Sequence, residues 1–194
     1  MKVWKQGGRI FYVKEKGMPV SVDSAVALHR KLNIGNKLYM VQQGIDLATI
    51  NGRPYDIRQM MMRDQFKRWK SIGMIAKVAG PRSVITNVAR GKGYVLPIDK
   101  ALKQSLGLSE AAAEKKKNEM IRLASLCTRI YNKIRYDWQI GYDIAVDRRG
   151  KVWLIETNPT VPSHALFRKM PKLYRTIKRF AAYHRPKSMT VQRK

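Results

Sequence analysis

Two carboxylates and a side-chain amide lie close together in Gly141-Tyr-Asp-Ile-Ala-Val-Asp-Arg-Arg-Gly-Lys-Val-Trp-Leu-Ile-Glu-Thr-Asn158. The stretch reads as a hairpin, because Ile140–Val146 and Lys151–Ile155 are rich in branched and aromatic residues on either side of Arg149-Gly150. A two-residue loop there sets Asp143 directly opposite Glu156. Facing residues project from the same side of a sheet, and Asn158, two residues on, projects there too. Opposed carboxylates repel unless a proton or a cation sits between them. Mg²⁺ suits such a place, held by one or two carboxylates while nucleotide phosphates complete its octahedron, with Mn²⁺ as an alternative occupant. A three-residue bulged loop would instead slip the register by one and turn Asp143 to the other face. A solvated hairpin whose acids only answer nearby lysines and arginines is the plainer alternative. Against it, Leu154-Ile155 leads straight into Glu156, which places that carboxylate at the exit of a buried strand.

The elements that must hold this hairpin belong to an ordinary small protein of 194 residues, 44% of them hydrophobic, enough to build a core. Its charge is unusual: 40 Lys+Arg against 13 Asp+Glu leave a formal charge of +27. That sign implies attraction to polyanions, whether nucleotide phosphates, nucleic acid, anionic lipid or wall polymer. The single Cys127 excludes a disulfide framework and a cysteine zinc site, and suits a reducing compartment. No apolar run approaches the ~20 residues of a membrane span, and Met1–Arg9 lacks the apolar core of a signal peptide. A soluble cytoplasmic protein is the expectation. His29, His164 and His184 have no metal-ligand spacing and receive no role.

Strands and helices alternate without a regular βαβ repeat, so the predicted class is α+β. Val3–Trp4 and Arg9–Lys14 read as strands about Gly7-Gly8, and Asp23 as the cap of a short helix with Ala25, Val26, Leu28 and Leu32 on one face, ended by Gly35. Lys37–Gln43 reads as a strand, Asn51–Pro54 as a turn, and Asp56–Arg63 and Ser71–Val78 as two β-rich segments joined by a polar loop. Ser109 opens a long helix whose apolar stripe runs through Met120, Leu123, Ala124, Cys127, Ile130, Tyr131, Ile134 and Trp138. Pro171 opens a last helix with Tyr174, Ile177, Phe180 and Ala181 on one face and Lys172, Arg175, Lys178 and Arg179 on the other. Met60-Met61-Met62 is read as core filler and Cys127 as a core thiol.

Gly-x-Asp, a hairpin and Ile-Glu-x-Asn resemble the last metal-binding hairpin of ATP-grasp enzymes. Tyr39-Met-Val-Gln-Gln-Gly-Ile45, Gly52-Arg-Pro-Tyr-Asp-Ile-Arg58, Gly73-Met-Ile-Ala-Lys-Val-Ala79 and Ile85-Thr-Asn-Val-Ala-Arg-Gly-Lys-Gly93 follow the order of the YheC/YheD family of ATP-grasp proteins, associated with endospore coats. The resemblance spans roughly residues 38–160. It implies an antiparallel sheet with packed helices, ATP and Mg²⁺ as cofactors, and an ADP-forming ligation through an acylphosphate of an unidentified carboxylate substrate. Residue by residue, it implies that Gln42, Gln43, Gly44 and Ile45 form the hinge strand reading adenine, and that Asp56 and Arg58 lie beside the nucleotide. Thr86 and Asn87 would form a phosphate-side pair, and Arg90 would follow in a loop suited to phosphate or substrate. Lys77 stands where the family usually carries an arginine against the terminal phosphate, which keeps the charge but loses the bidentate fork. Asp143, Glu156 and Asn158 match the magnesium ligands.

The family's lysine strand and glycine-rich loop should precede the segment at residues 1–15, and Lys5-Gln6-Gly7-Gly8 is too short to supply both. The expected division is a remnant of the N-terminal lobe over 1–45, the C-terminal lobe over 46–185, and a basic tail over 186–194. After Glu156 no acidic residue occurs, while Arg168, Lys169, Lys172, Arg175, Lys178, Arg179, Arg185, Lys187, Arg193 and Lys194 follow. This basic end reads as a surface for an anionic polymer, or as a solvated helix face with a loose terminus. A non-catalytic basic protein docking on such a polymer is the rival to the ligase.

Overall fold

The computed structural model describes residues 1–33, 35, 38, 40–84, 86 and 92–184. Asn87, Arg90 and the tail from Arg185 onward lie outside the described residues. So do Lys37 and Tyr39 of the strand expected near residue 40.

A small sheet opens the chain: β1 (Lys2–Gln6), β2 (Arg9–Val13) and β3 (Val20–Val22) pair antiparallel in that order. Gly7 and Gly8 take φ of 54° and 78°, the left-handed pair that a two-residue hairpin turn needs. Helix α1 (Ala25–Leu32) follows, capped by Ser24 rather than Asp23: the Ser24 hydroxyl accepts from the Ala27 amide at 3.1 Å. It closes at Asn33 (φ 46°), two residues before Gly35. None of its residues is buried, and Ala25 and Val26 are exposed, so the expected apolar face is only half covered.

The larger sheet has six strands. β7 (Tyr94–Pro97), β6 (Trp69–Val78), β5 (Arg53–Arg63), β8 (Gln139–Val146) and β9 (Val152–Pro159) lie side by side, and β4 (Thr49–Ile50) pairs with β5 through the Asn51-Gly52 turn. Every pairing is antiparallel. Alternation along the strands divides the sheet into two faces. Tyr55, Ile57, Met61, Ala76, Val78, Tyr142 and Ile144 pack against α2 (Ile98–Leu106) and α3 (Glu110–Tyr131). On the other face Met60, Met62 and Ile75 lie under Phe167, from a 3₁₀ turn over Ala165–Lys169, and Ile177 of α4 (Pro171–Ala182). The three methionines are therefore core, shared between the two faces. Burying each side chain of this size contributes on the order of 2 kcal/mol.

α3 starts at Ser109 as expected, with the hydroxyl accepting from the Ala112 amide, but it ends at Tyr131. Ile134 and Trp138 lie beyond it, and Ile134 is 81% exposed. Cys127 is half-buried against the core, and burial pushes its thiol pKa up, the opposite of an activated thiolate. β7 and α2 were not anticipated; Pro97 just before α2 and Gly107 just past it (φ 64°) are the signal that could have found the helix.

Among its described residues, the strand expected over Lys37–Gln43 does not form. Met40 and residues 41–46 carry no strand, and Leu38, Met40 and Val41 are almost fully exposed. A strand needs an adjacent edge to complete its hydrogen bonds, and among the described residues none runs beside this segment. The chain rejoins the sheet at Asp46, whose carbonyl accepts from the Arg148 amide at 3.0 Å, and then through the Ala48 amide, which donates to Val146 O at 2.9 Å. No helix among the described residues is long and apolar enough to cross a membrane.

Candidate functional site

The hairpin resolves the register by using a longer loop and then a bulge. Asp147 and Lys151 close a loop over residues 148–150: Asp147 N donates to Lys151 O at 3.0 Å, Gly150 N donates to Asp147 O at 2.9 Å, and Gly150 sits at φ 79°. This is the three-residue form rather than the two-residue one. The Asp147 carboxylate ties the loop down by accepting from the Arg149 and Lys151 amides and from Trp153 Nε1, each at 2.9 Å, and these bonds hold its pKa low. By itself that loop would turn Asp143 away. Ile144 indeed pairs with Leu154, but Asp143 pairs with Glu156, so Ile155 is an extra residue in β9. The bulge restores what the loop removed.

The consequence is a row of side chains on one face. Ile75, Arg58, Asp143 and Glu156 are successive partners across β6, β5, β8 and β9, and Lys77 pairs with Asp56 in the next position of β5 and β6. These residues continue the face that carries Met60, opposite the α2–α3 side. Arg58 grips Asp143 with two bonds, Nε to Oδ1 at 2.7 Å and Nη2 to Oδ2 at 3.1 Å. Lys77 Nζ stands between the two acids, 3.0 Å from Asp56 Oδ1 and 3.1 Å from Asp143 Oδ1. The Thr86 hydroxyl donates to Asp56 Oδ2, and Asn158 Nδ2 approaches Asp143 Oδ2 at 3.5 Å. Asp56, Arg58, Lys77 and Asp143 are all less than 10% exposed.

Buried charges persist only when paired, and here two cations answer two acids. The two carboxyls nevertheless differ. Burial tends to raise the Asp143 pKa, but the Arg58 guanidinium and Lys77 outweigh it and the value falls below the usual carboxylate range. For Asp56 burial dominates, Asp143's charge adds to it, and Lys77 and Thr86 only partly oppose, leaving the pKa raised to about 6. Asp56 Oδ1 has Lys77 as its charge partner at 3.0 Å.

Glycine makes this arrangement possible. Gly141 lies two residues before Asp143 on the same face, and a Cβ there would stand 3.3 Å from Arg58 Cδ and Nη1 and 2.8 Å from Pro162 Cβ. The missing side chain is the space through which Arg58 reaches Asp143. Gly141 has no assigned part within the Gly-x-Asp motif, although a glycine inside a strand signals a close approach. His164, also given no part, joins Gln139 at 2.7 Å, while Gln139 Nε2 donates to Thr160 O at 2.9 Å. These bonds pin the loop that follows Asn158. Burial, with Lys178 nearby, lowers the His164 pKa.

Of the expected site residues, Asp56, Arg58, Lys77, Thr86, Asp143 and Asn158 are brought together in one hydrogen-bonded group. Glu156 sits directly opposite Asp143 but is exposed, because β9 is the edge of the sheet and not a buried strand. Gln42, Gln43 and Gly44 are exposed and Ile45 is half-buried, none of them in a strand. Among the described residues no three His, Cys, Asp or Glu side chains converge as a ready metal cage. The donor chemistry still suits a hard cation: Asp143 and Glu156 face each other with carboxylate oxygens, Asn158 adds an amide oxygen, and phosphates would supply the remaining ligands.

A family model described as YheC/D like ATP-grasp matches residues 1–185. The endospore coat-associated protein YheD of Bacillus subtilis (strain 168) is 25% identical over 135 residues, covering 66% of this chain and 27% of the relative. The chain thus spans about a quarter of the length of the curated relative it matches.

Proposed function

The chain belongs to the YheC/D-like ATP-grasp family, and from that premise we propose that it binds ATP with Mg²⁺ or Mn²⁺ on the Arg58–Lys77–Asp143 face. The proposed chemistry is that of a carboxylate ligase. A substrate carboxylate oxygen bonds to the γ-phosphorus, the bond to the bridging oxygen breaks, and ADP leaves. An amine or thiol then displaces phosphate from the acylphosphate.

The observation that carries this reading is the buried group of Asp56, Lys77, Asp143 and Arg58. Two cations compressed against two acids beneath a sheet face form a preorganised charge set that phosphates and a metal could share out. Asp143, Glu156 and Asn158 would hold the metal, which when bound offsets charge on the transferred phosphoryl group. Lys77 and Arg58 would then turn toward phosphate oxygens. Arg58 offers a planar fork and Lys77 a point charge. Thr86 orients Asp56, and Asp56 keeps Lys77 over the site. Arg90 and Asn87 complete the phosphate side, and Gln42–Ile45 would meet the adenine. In this reading residues 1–45 and 46–185 serve as the two lobes, and the endospore-coat association named for the relative extends to this chain.

Calorimetry with ATP, with and without Mg²⁺, tests the proposal. Binding that requires Mg²⁺ and disappears in Asp143→Ala and in Glu156→Ala supports it. No heat with either cofactor combination, or binding indifferent to both substitutions, overturns it.

A further inference from the structure

We infer that the exposed face of α4 is a docking surface for a linear, base-free phosphate polymer. Helix α4 packs Tyr174, Ile177, Phe180 and Ala181 inward against Met60, Met62 and Ile75. That leaves Lys172, Arg175, Lys178 and Arg179 exposed, and Lys172, Arg175, Thr176 and Arg179 line one shallow groove. At a rise of about 1.5 Å per residue the three groove cations stand roughly 4.5 and 6 Å apart along the axis. They form a line rather than a cage, which suits an extended anion and not a single phosphate.

Several surface cations elsewhere have acidic partners: Lys103 meets Glu110, Lys116 meets Glu119, and Lys117 meets Asp99 and Glu114. Among the described residues no carboxylate pairs with Lys172, Arg175, Lys178 or Arg179, nor with Arg168 and Lys169 on the adjoining 3₁₀ turn. No acidic residue follows Glu156 in the sequence to neutralise them. Six cations kept together without counter-charges repel one another, and an anionic polymer removes that cost. No aromatic ring lines the groove: Tyr174 and Phe180 pack toward the core, and the exposed Tyr183 lies past the end of α4. Recognition in the groove therefore rests on phosphate charge, which favours a base-free chain over single-stranded nucleic acid, whose binding sites supply stacking rings.

Equilibrium binding of fluorescently labelled inorganic polyphosphate to the full chain, across a salt series, tests this. The variant Lys172→Gln/Arg175→Gln/Arg179→Gln should lose at least tenfold in affinity, and the slope of log K against log salt should fall by about two. Lys5→Gln/Lys14→Gln/Lys31→Gln removes the same net charge from the small sheet and α1, and should change affinity less than threefold. Equal losses in the two triple variants would show that only total charge matters and overturn the inference. So would tighter binding of an oligothymidylate of matched charge, which would assign the face to nucleic acid. Thermal melts of both variants confirm that each is folded, since all six positions are exposed.

Discussion

Arg58 and Asp143 face each other across β5 and β8, and the guanidinium of one holds both oxygens of the other. They are 85 residues apart in sequence, so the bond is a product of strand order: β5 lies between β6 and β8. It sets the electrostatics of the site, because it keeps Asp143 ionised where burial alone would neutralise it.

Removing Arg58 should therefore leave a buried carboxylate with only Lys77 as its cation. Arg58→Ala is expected to destabilise the fold by about 3–5 kcal/mol, read as a shift of the urea midpoint at unchanged slope. A loss below about 1 kcal/mol would mean that Asp143 finds water or another partner.

Gly141→Ala adds a methyl group where Arg58 and Pro162 already lie. The expected cost is about 1–3 kcal/mol, with a weakening of Mg²⁺-dependent ATP binding that exceeds the effect of an exposed alanine elsewhere. Unchanged binding and stability would show that the space beside Arg58 is not needed.

Asp56 and Asp143 should contribute pH slopes of opposite sign in separate windows. Asp56 has its pKa raised from 3.8 to about 6 on folding, so the folded chain holds the extra proton between those values. Stability from this group is present below the unfolded pKa and is lost as pH rises from about 4 to 6, then levels off. Asp143 is lowered, so its contribution is present above 3.8 and is lost as pH falls below that. Denaturation between pH 4 and 7 should show the falling slope in the native sequence and not in Asp56→Asn; an identical slope in both assigns it elsewhere.

Phe167 is fully buried between the sheet and α4. Phe167→Ala should cost about 3–5 kcal/mol and loosen α4. Amide hydrogen exchange should show α4 opening before β5 and β8, and uniform exchange across these elements would contradict that order.

Much of this protein was legible from its residues in order. Runs of β-forming residues mark β5, β6, β8 and β9, the Ser109 cap and the Pro171 start mark α3 and α4, and the motif order points to the ATP-grasp family, because these signals act over a few residues. The expectation that Asp143, Glu156 and Asn158 share a face also held in the ladder, though by a route the residues did not disclose: a three-residue loop and the Ile155 bulge each shift the register by one, and the shifts cancel. Which cation meets which acid was not legible either. Asp56 stands two positions from Arg58 in the same strand, yet Arg58 takes Asp143, and Lys77 stands between Asp56 and Asp143. The segment around Gln42 reads as a strand by composition but has no neighbouring edge among the described residues. Local patterning determines what each segment can become; bulges, buried ion pairs and strand membership depend on which strands come to lie side by side, and only the assembled sheet decides that.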